Sequence, residues 1–197
     1  IAYTFYDRGN YAAAYGPAQE RVAILRKAGE PWALGWALCA LGVIMTVNQE
    51  YAEAHALFEE ALTILHRPGH TWSISLTALG LSELFFAQGD LGRARTYLEE
   101  ALPTFQKADQ QWMIAQTLSN LGKVHWQQGD KQQAISLWDE SVTLAREIGA
   151  KRFLAETYHM LGLAAQERND RQQAQAHYQE SLALYQAVEN KIGVAYA

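Results

Sequence analysis

Residues 121–134 read LGKVHWQQGDKQQA, and the landmarks of this stretch return every forty residues along the chain. The turn-forming pair at 129–130 has counterparts at 9–10, 49–50, 89–90 and 169–170, and an alanine follows four residues after each pair. A leucine stands nine residues before the second member of four of these pairs, at Leu41, Leu81, Leu121 and Leu161. A fixed period of about 20–50 residues indicates a repeat architecture.

Between the turns, apolar residues recur three and four positions apart, for instance at Leu34, Leu38, Leu41 and Met45. This spacing places them on one face of an α-helix. Each copy therefore contains two helices, and the short turn between them requires an antiparallel arrangement. The first helices are predicted at 31–47, 71–87, 110–127 and 151–167, and the second helices at 11–28, 51–67, 91–107, 131–148 and 171–188.

Glycine, aspartate and proline mark the expected ends and irregularities of these helices. Gly29, Gly69 and Gly149 suit the left-handed residue just after a helix. Asp109 is expected to act as the N-cap of the helix that follows it. Proline stands inside two predicted helices, at Pro103 and in the pair 16–17, and is expected to kink or shorten each of them.

Small residues indicate where the two helices of a copy touch. Gly42, Gly122 and Gly162 on the first helix, and the alanines of the second helix, are expected to allow close approach of the two backbones. The larger residues four positions after each alanine then fill the space between neighbouring hairpins; they are Phe58, Leu98, Trp138 and Tyr178. One hairpin alone leaves this face in water, so the copies are expected to stack into a single domain.

The order of these residues resembles the tetratricopeptide repeat. The third copy shows it as Leu121-Gly122, His125, Gly129-Asp130, Ala134, Trp138 and Ser141. The resemblance implies an all-α, right-handed superhelix of antiparallel hairpins with four full and two partial repeats, forming one domain over 1–197. The repeats are placed at about 1–29 (partial), 30–69, 70–109, 110–149, 150–189 and 190–197 (partial).

The period of forty residues exceeds the usual length of about thirty-four in this family. Together with the Gly-x-x-Trp entries at Gly29/Trp32 and Gly69/Trp72, it resembles the repeats of large bacterial multidomain regulators, the LuxR-type activators and nucleotide-switch ATPases.

The family resemblance also implies where a partner binds, because first helices line the concave surface of such repeats. The residues assigned to this groove are Trp36, Leu79, Glu83, Phe86, Ser119, Lys123, Trp126, His159 and Gln166. Its apolar first half favours an amphipathic helix or an extended peptide with apolar anchors. The alternative is that Trp36, Phe86 and Trp126 only pack hairpin against hairpin. The family's clamp for acidic chaperone tails is represented only by Lys123 and Asn120, so no such binding is expected.

Composition excludes several other functions. The 16 basic and 21 acidic residues give a net charge of −5, which argues against direct nucleic-acid binding. Neither a membrane span nor a signal peptide is recognisable. The single cysteine, Cys39, excludes an internal disulfide and suits a reducing compartment, so a cytoplasmic location is expected.

Catalytic motifs are also missing from the sequence. None of the six histidines has the helical two-histidine spacing and nearby carboxylate that a metal site needs. His125 takes the place of Met45 and Phe85 in the repeat and is expected to be an interior residue. No phosphate-binding loop or nucleophile motif is present. The sequence therefore predicts no enzyme activity, no cofactor and no metal.

The function predicted from the sequence is that of a protein-interaction or effector-sensing module. We expect it to be the regulatory region of a larger bacterial signalling or transcription regulator, whose partner is a protein, a peptide or another domain of the same protein. The alternative is a free-standing scaffold that assembles other proteins. Both ends of the chain fall inside predicted helices, which makes end-to-end self-association a further expectation.

Overall fold

The computed structural model describes residues 11–65 and 71–188, and all regular structure in this part of the chain is α-helical. The described residues fall into two compact units, within 11–108 and 109–188. The arrangement of 1–197 as one domain therefore stays a prediction, and the two units are treated separately.

The first unit contains α1 (Tyr11–Ala28), α2 (Pro31–Val47), α3 (Tyr51–Leu65), α4 (Thr71–Ala87) and α5 (Leu91–Lys107). Each helix packs against the next, and α2 also contacts α4. The first helices of successive hairpins are therefore neighbours within this unit.

The second unit contains α6 (Gln111–Gln128), α7 (Lys131–Glu147), α8 (Lys151–Glu167) and α9 (Arg171–Ala187). It repeats the pattern, because successive helices pack together and α6 also contacts α8. The helices begin and end within two residues of their predicted bounds, apart from the start of α1, the end of α3 and the start of α4, which border residues outside the described ranges. The predicted antiparallel hairpins are confirmed.

The turn-forming pair consists of a helix-ending residue followed by a helix-starting residue. Gly89 and Gly129 adopt left-handed φ values of 80° and 90°. The aspartate after each glycine caps the next helix: Asp90 accepts a hydrogen bond from the Arg93 N–H at 3.0 Å, and Asp130 accepts one from the Gln133 N–H at 3.3 Å. These bonds satisfy donors that a helix start otherwise leaves without partners.

The prediction that Asp109 is an N-cap is wrong. Asp109 is left-handed, with φ 51°, and Gln110 occupies the cap position of α6 without a side-chain cap bond. Asp109 therefore takes the role of the glycine that ends a helix, which a short polar side chain tolerates better than most. Gly29 and Gly149 are left-handed as predicted, both with φ 69°, whereas Gly69 lies outside the described residues.

The glycines of the first helices accommodate aromatic rings rather than a neighbouring backbone. A Cβ atom added at Gly42 would lie 2.8 Å from the Phe58 ring, and one at Gly162 would lie 2.6 Å from the Tyr178 ring. This corrects the expected contact between backbones. A Cβ at Gly80 would lie 2.5 Å from Phe58, so this ring also fills the space between two hairpins, as predicted.

The two helices with an internal proline are not shortened. α1 continues past Pro17 to Ala28, and α5 continues past Pro103 to Lys107. Pro103 and Glu99 are both exposed, so the carbonyl group that loses its amide partner there lies near water.

Hydrogen bonds fix how far one helix of a hairpin slides along the other. Ser141 Oγ donates to the Ala115 carbonyl and Ser181 Oγ donates to the Ala155 carbonyl, each at 2.8 Å. These bonds are forty residues apart and join the same positions of two hairpins. Both serines are fully buried, and a buried hydroxyl without a partner would cost about 1–3 kcal/mol.

We expect Ala94→Leu to lower the free energy of unfolding by about 1–3 kcal/mol, because Ala94 is fully buried between the helices of its hairpin. Urea denaturation followed by circular dichroism measures this change. Glu99→Gln is the control, since Glu99 is exposed and loses only a surface ion pair with Arg95. Equal losses for the two variants would contradict the packing described above.

Candidate functional site

Within each unit, one side of the earlier first helix is buried against the later first helix. Cys39 Sγ lies 3.2 Å from Thr77 Oγ1 in the first unit, and Ser119 Oγ lies 3.1 Å from Thr157 Oγ1 in the second. Leu79 occupies the same repeat position and is 4% exposed. Two residues assigned to the groove, Leu79 and Ser119, are therefore buried and offer almost no surface to a partner.

The contacts of Cys39 also argue against thiol chemistry. Burial raises the pKa of this thiol to about 11, although a hydrogen bond to Thr77 partly opposes the shift. The thiolate is the reactive form of cysteine, so this side chain is a packing residue.

Trp126 packs inside its own hairpin. Its ring centroid lies 5.4 Å from that of Trp138, and Lys131 Nζ lies 3.5 Å from the Trp126 centroid. Lys131 Nζ also forms an ion pair with Glu167 at 3.1 Å. One face of Trp126 is thus covered by residues of its own hairpin.

Lys123 is partly buried on the same helix and retains binding capacity. Its Nζ donates to Asn120 Oδ1 at 3.3 Å. Within 11–65 and 71–188 no carboxylate forms an ion pair with this amino group. A lysine ammonium has three donors, so Lys123 can receive an acceptor from another molecule.

His159 and Gln166 lie on α8 beside Tyr178 of α9. The His159 and Tyr178 ring centroids are 5.7 Å apart, and the Tyr178 hydroxyl donates to Gln166 Oε1 at 2.8 Å. His159 Nδ1 is buried and makes no hydrogen bond to any described residue. Burial lowers the pKa of His159 and raises the pKa of Tyr178. Both side chains are therefore neutral at pH 7.

An open cavity of about 640 Å³ adjoins this group, lined by Gln166, Asn169, Arg171, Gln175, Tyr178 and Leu182 among others. The equivalent residues of α7 include Trp138 and Val142, which belong to one core cluster with Phe153 and Leu154 of α8. The face of α9 at this cavity is therefore equivalent to the face of α7 that packs against α8.

In the first unit, the assigned residues Trp36, Glu83 and Phe86 are all partly buried. Trp36 lies on α2, where its ring centroid is 5.8 Å from that of Trp32. Glu83 and Phe86 lie on the neighbouring helix α4. The three side chains give this part of the groove face an aromatic and apolar character with one carboxyl group.

The other histidines that the structure describes do not form a metal site. His125 is 9% exposed, as predicted for an interior residue, and its Nδ1 lies 3.4 Å from Asp130 Oδ2. No group of three potential metal ligands occurs within 11–65 and 71–188. In that same part of the chain, none of the helices has the length and apolar character needed to cross a membrane.

His177 of α9 is a second histidine whose environment favours the neutral form. Its ring stacks on Tyr158, with centroids 5.8 Å apart. Burial lowers the pKa of His177, and Arg168 lowers it further, whereas Asp139 and Asp170 oppose the shift.

We expect the unfolding free energy of the second unit to decrease as pH falls below about 6.5, the pKa of a histidine in an unfolded chain. The folded-state pKa values of His159 and His177 are lower, so the unfolded chain binds more protons in this range. Urea denaturation between about pH 7.5 and 5.5 measures the effect. The double variant His159→Gln/His177→Gln should reduce the pH dependence. An unchanged pH dependence in the double variant would disprove this assignment.

Comparison with solved structures shows the same fold in several proteins. BtubC (BKLC) from P. vanneervenii is 19% identical, with a TM-score of 0.71 over 90% of this chain and 74% of that chain. A Rap protein complexed with Competence and Sporulation Factor is 14% identical, with a TM-score of 0.74 over 100% of this chain and 59% of that one. MamA is 16% identical, with a TM-score of 0.54 over 95% of both chains. At these identities the likeness concerns the fold alone.

Comparison with curated protein sequences finds no match. The family model described as tetratricopeptide repeat matches residues 34–107 and 113–187. These two segments contain both helices of each hairpin from α2 to α9, apart from the first few residues of α2 and α6. Because they cover well over half of the sequence, the chain belongs to the tetratricopeptide repeat family.

Proposed function

We propose that this chain is a protein- or peptide-binding module and that its partner contacts the exposed side chains of the first helices. The observation that carries this proposal is unused bonding capacity on one face of the second unit. Lys123 is partly exposed and has donors to spare. Leu163, on the same face, is a large apolar side chain that is 41% exposed.

A contrast between buried and exposed positions supports the proposal. The leucine at 41, 81, 121 and 161 is the same in every copy and is buried. Two residues later the side chains are Val43, Glu83, Lys123 and Leu163, all of them at least partly exposed. The fold therefore requires leucine at the buried position, whereas the position two residues later accepts apolar, acidic and basic side chains. A surface built in this way can be matched to one particular partner.

The chemistry of the face favours a polypeptide as the partner. In the first unit, Trp36 and Phe86 offer aromatic anchors of the kind that contribute most binding energy in protein interfaces. In the second unit, Lys123 and Gln166 offer polar groups for backbone or side-chain atoms. We do not expect Leu79, Ser119 or Trp126 to contact a partner. Leu79 and Ser119 are buried, and Trp126 packs against Trp138 of its own hairpin. With a net charge of −5, nucleic acid is a poor alternative.

We further propose that the module is the regulatory region of a larger bacterial signalling or transcription regulator that acts in the cytoplasm and has no catalytic role of its own. The resemblance of its forty-residue repeats to LuxR-type regulators supports this context. The Rap protein that shares the fold is complexed with Competence and Sporulation Factor. The partner would then be a peptide, a protein or another domain of the same regulator.

A free-standing scaffold is the second candidate. The observation that favours it is the match to MamA, in which 95% of each chain is covered. A chain of this extent can therefore make up almost the whole of a solved protein with this fold.

To test the binding face, a photoreactive amino acid is placed at position 123 or, as a control, at position 132 of α7, where Gln132 is exposed. We expect position 123 to crosslink a polypeptide partner in source cells and position 132 not to. For the partner identified, calorimetry should show that Lys123→Glu and Leu163→Ala, both in the second unit, each weaken binding at least tenfold, or about 1.4 kcal/mol.

Lys107→Glu serves as the charge-matched control, since Lys107 is an exposed residue at the end of α5. Circular dichroism of all variants checks that the helices are intact. Equal crosslinking from both positions, or equal affinity of the variants and the control, would show that the partner binds elsewhere.

A further inference from the structure

Four side chains of α9 line the open cavity beside α8: Arg171, Gln175, Tyr178 and Leu182. We call them the α9 face, because at 3.6 residues per turn they fall within an arc of about 60° around the helix axis. Arg171 and Gln175 are exposed, and Tyr178 and Leu182 are only partly buried. The α9 face is therefore a continuous surface that another molecule can reach.

The equivalent face of α7 shows what kind of element covers such a surface. Its residues stand forty positions earlier and are Lys131, Ile135, Trp138 and Val142. Trp138 and Val142 belong to one core cluster with residues of α8, and Ile135 packs against this cluster. Lys131 Nζ forms an ion pair at 3.1 Å with Glu167, the last residue of α8. The covering element is therefore an antiparallel helix with apolar side chains along its length and a carboxylate in its last turn.

Arg171 occupies the position of Lys131 but has no carboxylate beside it. Among the residues that the structure describes, no ion pair includes Arg171. A guanidinium group can bind a carboxylate through two parallel hydrogen bonds. A cation at this place also suits the C-terminal end of a helix, where the macrodipole is negative. The charge of the α9 face thus favours a helix with aspartate or glutamate in its last turn.

Two substitutions indicate that the occupant of the α9 face binds reversibly. Ile135 and Trp138 of α7 are replaced by Gln175 and Tyr178 on α9. The Tyr178 hydroxyl donates to Gln166 Oε1 at 2.8 Å, so the ring carries a polar group that is satisfied while the face is in water. Permanent interfaces are more apolar than interfaces that form and dissociate. The α9 face therefore suits a partner that arrives from solution better than it suits a permanent seam.

We propose that the α9 face is the docking site for an amphipathic helix of a partner protein. This helix lies antiparallel to α9 and places apolar side chains on Tyr178 and Leu182. An aspartate or glutamate in its last turn pairs with Arg171, whereas a basic residue there would be repelled, which adds specificity. None of the residues of the α9 face belongs to a first helix, so the proposal does not depend on the function proposed above.

A synthetic peptide with the sequence of residues 150–167 tests the proposal, because it forms α8, the helix that covers the equivalent face. Its ends are acetylated and amidated, so that Glu167 provides the only carboxylate of its last turn. The peptide carries a fluorescent label, and its anisotropy is measured as the full chain is added. We expect saturable binding that Arg171→Glu in the chain weakens at least about fivefold, because this change places two carboxylates together.

A peptide of reversed charge provides the second measurement. Glu167→Lys in the peptide should weaken binding to the original chain and restore binding to the Arg171→Glu chain. Only residues that are neighbours in the complex give such a reciprocal result. Lys107→Glu in the chain is the charge-matched control, since Lys107 is exposed at the end of α5. It should leave the affinity for both peptides unchanged.

The apolar part of the α9 face is tested in the same titration. Leu182→Gln should weaken binding at least about fivefold, because the leucine loses its apolar contact with the peptide. Ala183→Gln is the matched control, as it places the same side chain at an exposed position of the same helix. Circular dichroism checks that every variant keeps its helices.

Binding that requires Arg171 and Leu182, and that the exchange of charges restores, supports the docking site. The absence of saturable binding overturns it. So does binding that Arg171→Glu and Lys107→Glu change equally, because the peptide then lies on another surface. Self-association of the chain alone that Arg171→Glu abolishes also overturns it, since a second copy would then occupy the α9 face.

Discussion

The insertion of a large side chain from one helix into a gap on the next is the contact on which the rest of the structure depends. In the second unit, Trp138 fills the space that Gly122 leaves open, and its indole N–H donates to the Ser119 carbonyl at 3.1 Å. Ser119 in turn contacts Thr157 of the neighbouring first helix. The ring thus connects the helices within a hairpin to the seam between hairpins. The packing of this core fixes where the outward-facing side chains of the first helices lie.

The helices could be predicted from the sequence because the turn residues act locally. A glycine can end a helix, and an aspartate can cap the start of the next, without help from distant parts of the chain. This pair of residues recurs with the forty-residue period. Asp109 misled the prediction because aspartate suits both roles, and only the neighbouring backbone decides between them. The groove was harder to predict, since the burial of Ser119, for example, depends on how α6 and α8 lie against each other. For Trp126, the covering residue Lys131 comes from the following helix.

The difference between buried and outward-facing positions explains how one fold can serve different partners. Positions that hold the hairpins together carry leucine, glycine, alanine, serine or a large side chain, because each faces a neighbour at short distance. Positions two residues away from the buried leucines face outward and carry valine, glutamate, lysine or leucine. Changing them costs the fold little, whereas the same changes alter the surface from apolar to acidic or basic. Binding specificity can therefore differ along the chain while the architecture stays constant.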